Sequence, residues 1–171
     1  MFAARVATAD DAGTIEALAR QAIDELARGR GGTVWRRREA RQEPVGAGIA
    51  AALAATADGG DQVAAVGTVD GTPVGYGIVR REPLADGSSI ARIDDLYVEP
   101  EARGVGVGEA LMDLLVGAAT AWGSSGIDAL ALPGDRHTKN FFERFGLTAR
   151  AITVHRVLPP PAAGPGPGGP A

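Results

Sequence analysis

Three glycines at alternate positions form the stretch of this sequence that is best suited to holding a ligand. Gly104, Gly106 and Gly108 follow Arg103, and they leave no Cβ between the backbone amides and a bound group. The residues that follow, up to Trp122, carry apolar side chains at helical spacing. The glycines therefore precede a helix, where free N–H groups, the helix dipole and the Arg103 guanidinium together favour a phosphate or pyrophosphate.

This pattern does not match two common nucleotide-binding motifs. Glu109 stands where the dinucleotide fingerprint requires its third glycine, and the chain has no Gly-Lys pair for a P-loop. Glycines also occur in strand-turn-helix connections that bind nothing. The loop alone therefore leaves two interpretations open, a phosphate site and a simple turn.

Two adjacent carboxylates, Asp94 and Asp95, lie in the segment that leads to the glycines. Residues 91–98 alternate between apolar and polar side chains roughly as a β-strand does. Strand geometry predicts that Ile93 and Tyr97 share one face, and it sends the two carboxylates to opposite faces. They are therefore not expected to work as a pair, and each can instead make local hydrogen bonds.

The rest of the pattern predicts the elements that must position this centre. Asp10 or Asp11 is expected to cap a first helix, and residues 44–57 are expected to form a second. Asp70-Gly71 is suited to a hairpin turn. A helix between two parallel strands allows 127–132 to pair with 91–98. Further strands are predicted at 2–8, 62–69, 73–81, 127–132 and 147–157.

Composition restricts the class of protein. The chain has 171 residues, of which 45% are hydrophobic and 22% charged, which fits one globular domain. Its net charge of −4 gives no support for a nucleic-acid-binding or membrane-binding surface. The absence of cysteine excludes disulfides and thiolate zinc sites, and the two histidines lack companion metal ligands, so no metal is expected. Neither a leader pattern nor a long apolar run is present, so a cytoplasmic protein is expected.

Two motifs together resemble those of the GNAT acetyltransferase superfamily. Arg103-x-x-Gly106-x-Gly108, between a strand and an apolar helix, is similar to the acyl-CoA-binding motif of that superfamily. The run NFFERFGL at residues 140–147 resembles its C-terminal helix. The resemblance implies a single mixed α/β domain over residues 1–158, whose mostly antiparallel twisted sheet contains one splayed parallel strand pair and is flanked by about four helices. Residues 159–171 are rich in proline and glycine and are expected to form a disordered tail.

The resemblance also implies a donor, acetyl-CoA, and the residues that bind it. Its pyrophosphate is expected on the amides of the glycine stretch and its pantetheine along the preceding strand. Asn140 is a possible hydrogen-bonding partner of the same molecule. The implied binding residues are Tyr97, Val98, Arg103, Gly104, Val105, Gly106, Val107, Gly108, Glu109 and Asn140.

On the acceptor side, the resemblance implies an amine and a base that deprotonates it. Ile-Asp-Asp-Leu-Tyr-Val is similar to Leu-Glu-Asp-Phe-Phe-Val in diamine acetyltransferases, and Asp94 stands where the glutamate can serve as base. Asp95 could bind a cationic amine. Trp35 could wall the acceptor pocket while the following arginines, 36–38, recognise an acidic group; alternatively, Trp35 is half-buried beside a solvated basic turn.

One substitution keeps alternatives to this enzyme open. Phe142 occupies the position where many members of the superfamily have the tyrosine that protonates the departing thiolate, and phenylalanine has no proton to give. The expected activity is transfer of an acetyl group to a small-molecule primary amine by direct attack. The alternatives are a non-catalytic acyl-CoA-binding regulatory module and an acetyltransferase acting on a protein or peptide. A homodimer is plausible through the resemblance alone.

Overall fold

A computed structural model of the chain describes residues 1–160. It contains one five-stranded sheet and five α-helices within that range. The strands are β1 (Phe2–Val6), β2 (Gln62–Val69), β3 (Thr72–Pro83), β4 (Ser89–Val98) and β5 (Ile127–Asp128). The helices are α1 (Ala12–Ala27), α2 (Gly32–Arg38), α3 (Val45–Ala57), α4 (Val107–Ala121) and α5 (Arg136–Arg144).

The sheet confirms the predicted mixed architecture. Its order is β1-β2-β3-β4-β5, with antiparallel pairing from β1 to β4 and parallel pairing between β4 and β5. Strand alternation separates two cores, because neighbouring side chains point to opposite faces. Ala64 and Val66 of β2 pack with α1 and α3, while Ala65 packs with α4.

A β-bulge at Asp94 shows that the predicted alternation along β4 was wrong. Ile78 of β3 pairs with Asp95 and Val79 pairs with Ile93, so Asp94 is an extra residue without a partner. The bulge shifts the phase of the strand by one residue. Ile93 therefore packs in the α4 core, whereas Tyr97, which was predicted on the same face, packs in the α1 and α3 core.

Two strand predictions near the C-terminus were also wrong. The ladder between β4 and β5 ends after Asp128, next to the bulge, so the predicted strand 127–132 shortens to two residues. Residues 147–157 form no strand. Arg150 pairs with Asp128, but beyond it Ile152 is 84% exposed, because an alternating pattern without a neighbouring strand gains neither hydrogen bonds nor burial. The predicted tail lies outside the described residues from position 161 onward.

Among the described residues the longest helix is α1, with 16 residues. Neither it nor another helix within residues 1–160 combines the length and the apolar character that a bilayer crossing requires.

Candidate active site

The glycine loop, residues 103–108, leads into α4 as the sequence predicted. Gly104 and Gly106 have φ angles of +78° and +101°, a region that side-chain-bearing residues rarely adopt. Gly106 is the N-cap of α4, which begins at Val107. The free N–H groups of the first turn therefore lie at this loop, beside the positive end of the α4 dipole.

Two phenylalanine rings pack against the glycine loop, and sequence reasoning did not find either contact. A Cβ on Gly106 would lie 2.5–2.7 Å from three ring carbons of Phe2, which comes from β1. A Cβ on Gly108 would lie 3.3 Å from the ring of Phe141, which comes from α5. The glycines at 106 and 108 thus allow the loop to approach these rings closely, a packing reason for glycine that is separate from ligand binding.

Arg103 connects the glycine loop to the rest of the domain. Its Nε donates to the Val98 carbonyl oxygen at 2.8 Å, and its Nη2 lies 2.8 Å from Glu25 Oε2 of α1. Its guanidinium carbon lies 5.5 Å from the centre of the Tyr97 ring. Hydrogen bonding to Glu25 raises the pKa of Arg103, so the group stays charged. In this structure Arg103 therefore braces the loop against β4 and α1.

A cavity of about 90 Å³, called the central cavity below, opens where β5 separates from β4. Its wall includes α1, the residue Trp35 of α2, the strand residues 93–97 and the segment 130–132 that follows β5. Asp94 is exposed mainly through its backbone, since the residue as a whole is exposed but only 23% of its side chain is. The backbone of β4 is therefore open to solvent at this edge. The unpaired edge of β4 has N–H and C=O groups available to a ligand.

Asp95 is held on the wall of the central cavity by a buried network. Arg41 donates from Nε and Nη2 to Asp95 Oδ2 at 2.8 and 2.6 Å, and the Tyr76 hydroxyl donates to Oδ1 at 3.0 Å. Only 14% of the Asp95 side chain is exposed. Burial raises the pKa of Asp95, while Arg41 and Tyr76 oppose that change by stabilising the carboxylate.

Asp94 has a different set of partners. Its carboxylate lies 2.9 Å from Arg80 Nε and 3.6 Å from Arg92 Nε. Arg80 shares a face of β3 with Tyr76, which contacts Asp95, so the bulge brings both carboxylates to the same face of the sheet. The prediction of opposite faces was wrong for that reason. The Asp94 side chain is 23% exposed and the Asp95 side chain 14%, so Asp94 is the more open of the two.

The other predicted residues are divided between the cavity and the surface. Trp35 and Tyr97 line the central cavity, and the Tyr97 hydroxyl lies 3.5 Å from Gln21 Oε1. Phe142 lines it too and is 8% exposed. Asn140 is exposed on α5 and is not part of the cavity wall.

Arg41 and Tyr76 belong to the site but were not predicted. Arg41 lies 54 positions before Asp95 in the chain, so no local spacing connects them. Both tyrosines of the chain line the central cavity, but nothing in the spacing of the sequence connects Tyr76 with Asp95.

Comparison of the sequence with protein-family models gives a match to the family described as Acetyltransferase (GNAT) family, over residues 33–147. That range includes the whole of β4, the glycine loop, α4 and α5. No curated protein sequence matches the chain significantly.

Solved structures share the fold at low sequence identity. A variant of the BH1408 protein of Bacillus halodurans is 21% identical, with a TM-score of 0.72 over 91% of this chain and 98% of that one. AAC(6')-Iy, solved with the bisubstrate analogue CoA-S-monomethyl-acetylneamine, is 14% identical, with a TM-score of 0.70 over 93% and 99%. The ribosomal-protein-alanine N-acetyltransferase of Brucella melitensis biovar Abortus is 19% identical, with a TM-score of 0.62 over 93% and 100%. These similarities show the fold.

Proposed function

The chain belongs to the acetyltransferase (GNAT) family, and from that premise we propose that it transfers an acetyl group from acetyl-CoA to a primary amine of a small molecule. Acetyl-CoA supplies the acetyl group as a thioester. The residues of this chain bind that donor, admit the amine, and accept the proton that the amine must lose before it can attack.

The observation that carries the proposal is the arrangement of an open strand edge beside a glycine-capped helix. The β4–β5 ladder has only two residue pairs, so the β4 edge beyond Arg92 is unpaired where it approaches the glycine loop. A Cβ on Gly104 would meet no atom within 4 Å, so that side of the loop is open. A pyrophosphate fits the free amides of residues 105–109, and the amides of a pantetheine arm fit the free edge of β4.

The walls of the central cavity favour a small acceptor over a peptide. Trp35 lines the cavity on the α2 side and residues 130–132 line it on the β5 side, as in a closed pocket and unlike the open groove that a peptide would need. Asp94 and Asp135 on the wall, beside the mutually compensated Arg41–Asp95 pair, favour a cationic amine over an anionic group.

Asp94 is proposed as the base. Its partly exposed carboxylate lies at the cavity beside the unpaired strand edge, where it can accept a proton from the amine through a water molecule. Arg80 and Arg92 hold the carboxylate in place. Holding the amine and the thioester together in one cavity can supply a large part of the rate enhancement. We expect Asp94→Asn to lose turnover at every pH while keeping CoA affinity, and unchanged turnover would exclude this role.

The donor site can be tested with a matched pair of variants at Val105, which is 48% exposed in the glycine loop. Glutamate and glutamine have nearly the same shape, so Val105→Glu and Val105→Gln differ in charge. For charges about 6 Å apart, repulsion of the pyrophosphate costs roughly 1–3 kcal/mol per unit charge. Titration calorimetry should show CoA affinity at least about fivefold weaker for the glutamate variant than for the glutamine variant. Equal affinities would place the pyrophosphate elsewhere.

A second candidate is a regulatory module that binds acyl-CoA without turnover. Phe142 favours it, because its ring occupies the cavity wall without offering a proton to a thiolate. This candidate predicts CoA binding together with no thiol release from acetyl-CoA against any amine, amino acid or peptide.

A further inference from the structure

The segment between α2 and α3, residues 39–44, forms the rim of the central cavity and is called the acceptor segment below. Ala40 and Arg41 from this segment line the cavity together with Trp35. Outside the cavity, Glu43 of the segment pairs with Arg20 of α1 at 2.7 Å, and both side chains are about half exposed or more. Inside, two nitrogens of Arg41 donate to Asp95 Oδ2, as described above. The acceptor segment is thus held by an exposed ion pair on one side and a buried one on the other.

The inner contact differs from a surface ion pair in its burial. The side chains of Arg41 and Asp95 are 17% and 14% exposed, so each charge depends on the other for compensation. The Tyr76 hydroxyl donates a hydrogen bond to the second carboxylate oxygen of Asp95, and Tyr76 itself is 1% exposed. Because both oxygens of Asp95 already accept hydrogen bonds from the protein, this carboxylate serves better as an anchor than as the binding group for a cationic amine.

The anchor lies next to the proposed base. Asp95 follows Asp94 directly at the bulge, so the position of one carboxylate fixes the backbone that carries the other. Replacing a buried ion pair with a well-packed apolar pair often leaves stability unchanged, so a contribution to stability is a weak explanation for the Arg41–Asp95 pair. Its more specific consequence is geometric, since it fixes the distance between the acceptor segment and the bulge.

We propose that Arg41 is a positioning residue for the acceptor: through Asp95 it fastens the acceptor segment to the bulge of β4, and it thereby sets the geometry in which an amine meets Asp94. This inference rests on the proposed function for the identity of the acceptor site. It also extends that function, because it assigns Asp95 to the architecture of the site and predicts that Arg41 determines which amines are accepted.

A double-variant experiment separates positioning from stability. Arg41→Met and Asp95→Leu each leave one buried charge without a partner, so each single variant should lose stability in chemical denaturation. The double variant Arg41→Met with Asp95→Leu should regain the part of that loss that comes from the unpaired charge, but not the part that comes from the buried Tyr76 hydroxyl, which loses its acceptor. We nevertheless expect its kcat/KM for the best amine to remain at least tenfold below wild type, mainly through KM, while its Kd for CoA stays within twofold. Wild-type kcat/KM in the stable double variant would overturn the proposal.

Two further measurements make the result independent of turnover. Hydrogen exchange followed by mass spectrometry should show faster exchange of residues 39–44 in the double variant at matched global stability, and unchanged exchange would overturn the proposal. Arg150→Met, which removes an exposed arginine–aspartate pair outside the cavity, serves as the control and should leave exchange in the acceptor segment unchanged. If wild type turns over no amine, the proposed function fails, and the exchange experiment still decides whether Arg41 fastens the segment.

Discussion

Replacing Gly106 with alanine tests why the glycine loop needs a glycine at its centre. The φ angle of +101° is a conformation that costs alanine about 1–2 kcal/mol. The new methyl group would also lie 2.5–2.7 Å from three ring carbons of Phe2, so the ring must move. Overpacking of this kind usually costs ~1–3 kcal/mol. Since Phe2 is 50% exposed and can swing outward, we expect a total loss in the lower half of roughly 2–5 kcal/mol.

The two contributions can be separated by repeating the substitution in a Phe2→Ala background. Removing the ring removes the clash but leaves the backbone strain, so Gly106→Ala should then cost only about 1–2 kcal/mol. Guanidinium denaturation of the four proteins in this cycle measures the difference as a coupling free energy. An equal cost of Gly106→Ala in both backgrounds would refute the claim that Phe2 is what the glycine accommodates.

CoA affinity can be measured by titration on the same set of variants. If Phe2 supports the loop amides in the arrangement that a pyrophosphate needs, Phe2→Ala should weaken CoA binding, and Phe2→Leu should restore part of it. A CoA affinity that is unchanged in Phe2→Ala would show that the ring contributes to folding and not to the donor site.

Three other substitutions give independent expectations. Hydrogen bonds from Arg5 lower the pKa of Asp11 from 3.8 to about 2. This shift corresponds to about 2 kcal/mol of stability that is present above pH 4 and lost as the pH falls through 2. Asp11→Asn should remove that pH dependence from the unfolding free energy, and an unchanged dependence on pH would contradict the role of Asp11. Phe142→Tyr should raise kcat without changing the Kd for CoA, because a phenol hydroxyl on the cavity wall can protonate the departing thiolate; an unchanged kcat would show that this position gives no proton to the thiolate. Leu115→Ala, at a fully buried position of α4, should cost about 2–5 kcal/mol in denaturation and leave the bound-CoA stoichiometry at wild type; a cost below about 1 kcal/mol would mean that the α4 core is not packed as described.

The elements with strong local signals could be predicted from the sequence. Asp70-Gly71 supplies the turn of the β2–β3 hairpin, and Asp70 adopts a positive φ of 49° there. The glycines at the start of α4 also lie where the helix begins. In both cases the backbone conformation depends on a few adjacent residues, so a short stretch of sequence contains the necessary information.

The parts that failed depend on contacts between distant residues. The bulge at Asp94 inserts one residue into β4 without a glycine or proline to mark it, and this reversed the predicted faces of the strand. The segment 147–157 has a strand-like pattern but no neighbouring strand within the described residues. The contact of Arg41 with Asp95 joins residues far apart in the chain, so neither composition nor periodicity could indicate it.

Acetyl-CoA titration combined with measurement of thiol release in the presence of a panel of small primary amines is the most direct test of the proposed function. The protein should bind one acetyl-CoA per chain saturably, and thiol release should require an amine and be lost in Asp94→Asn. Absence of acetyl-CoA binding to the folded protein would contradict the donor site, and with it the proposed function. Binding without release from any amine would contradict the transferase and favour the regulatory module.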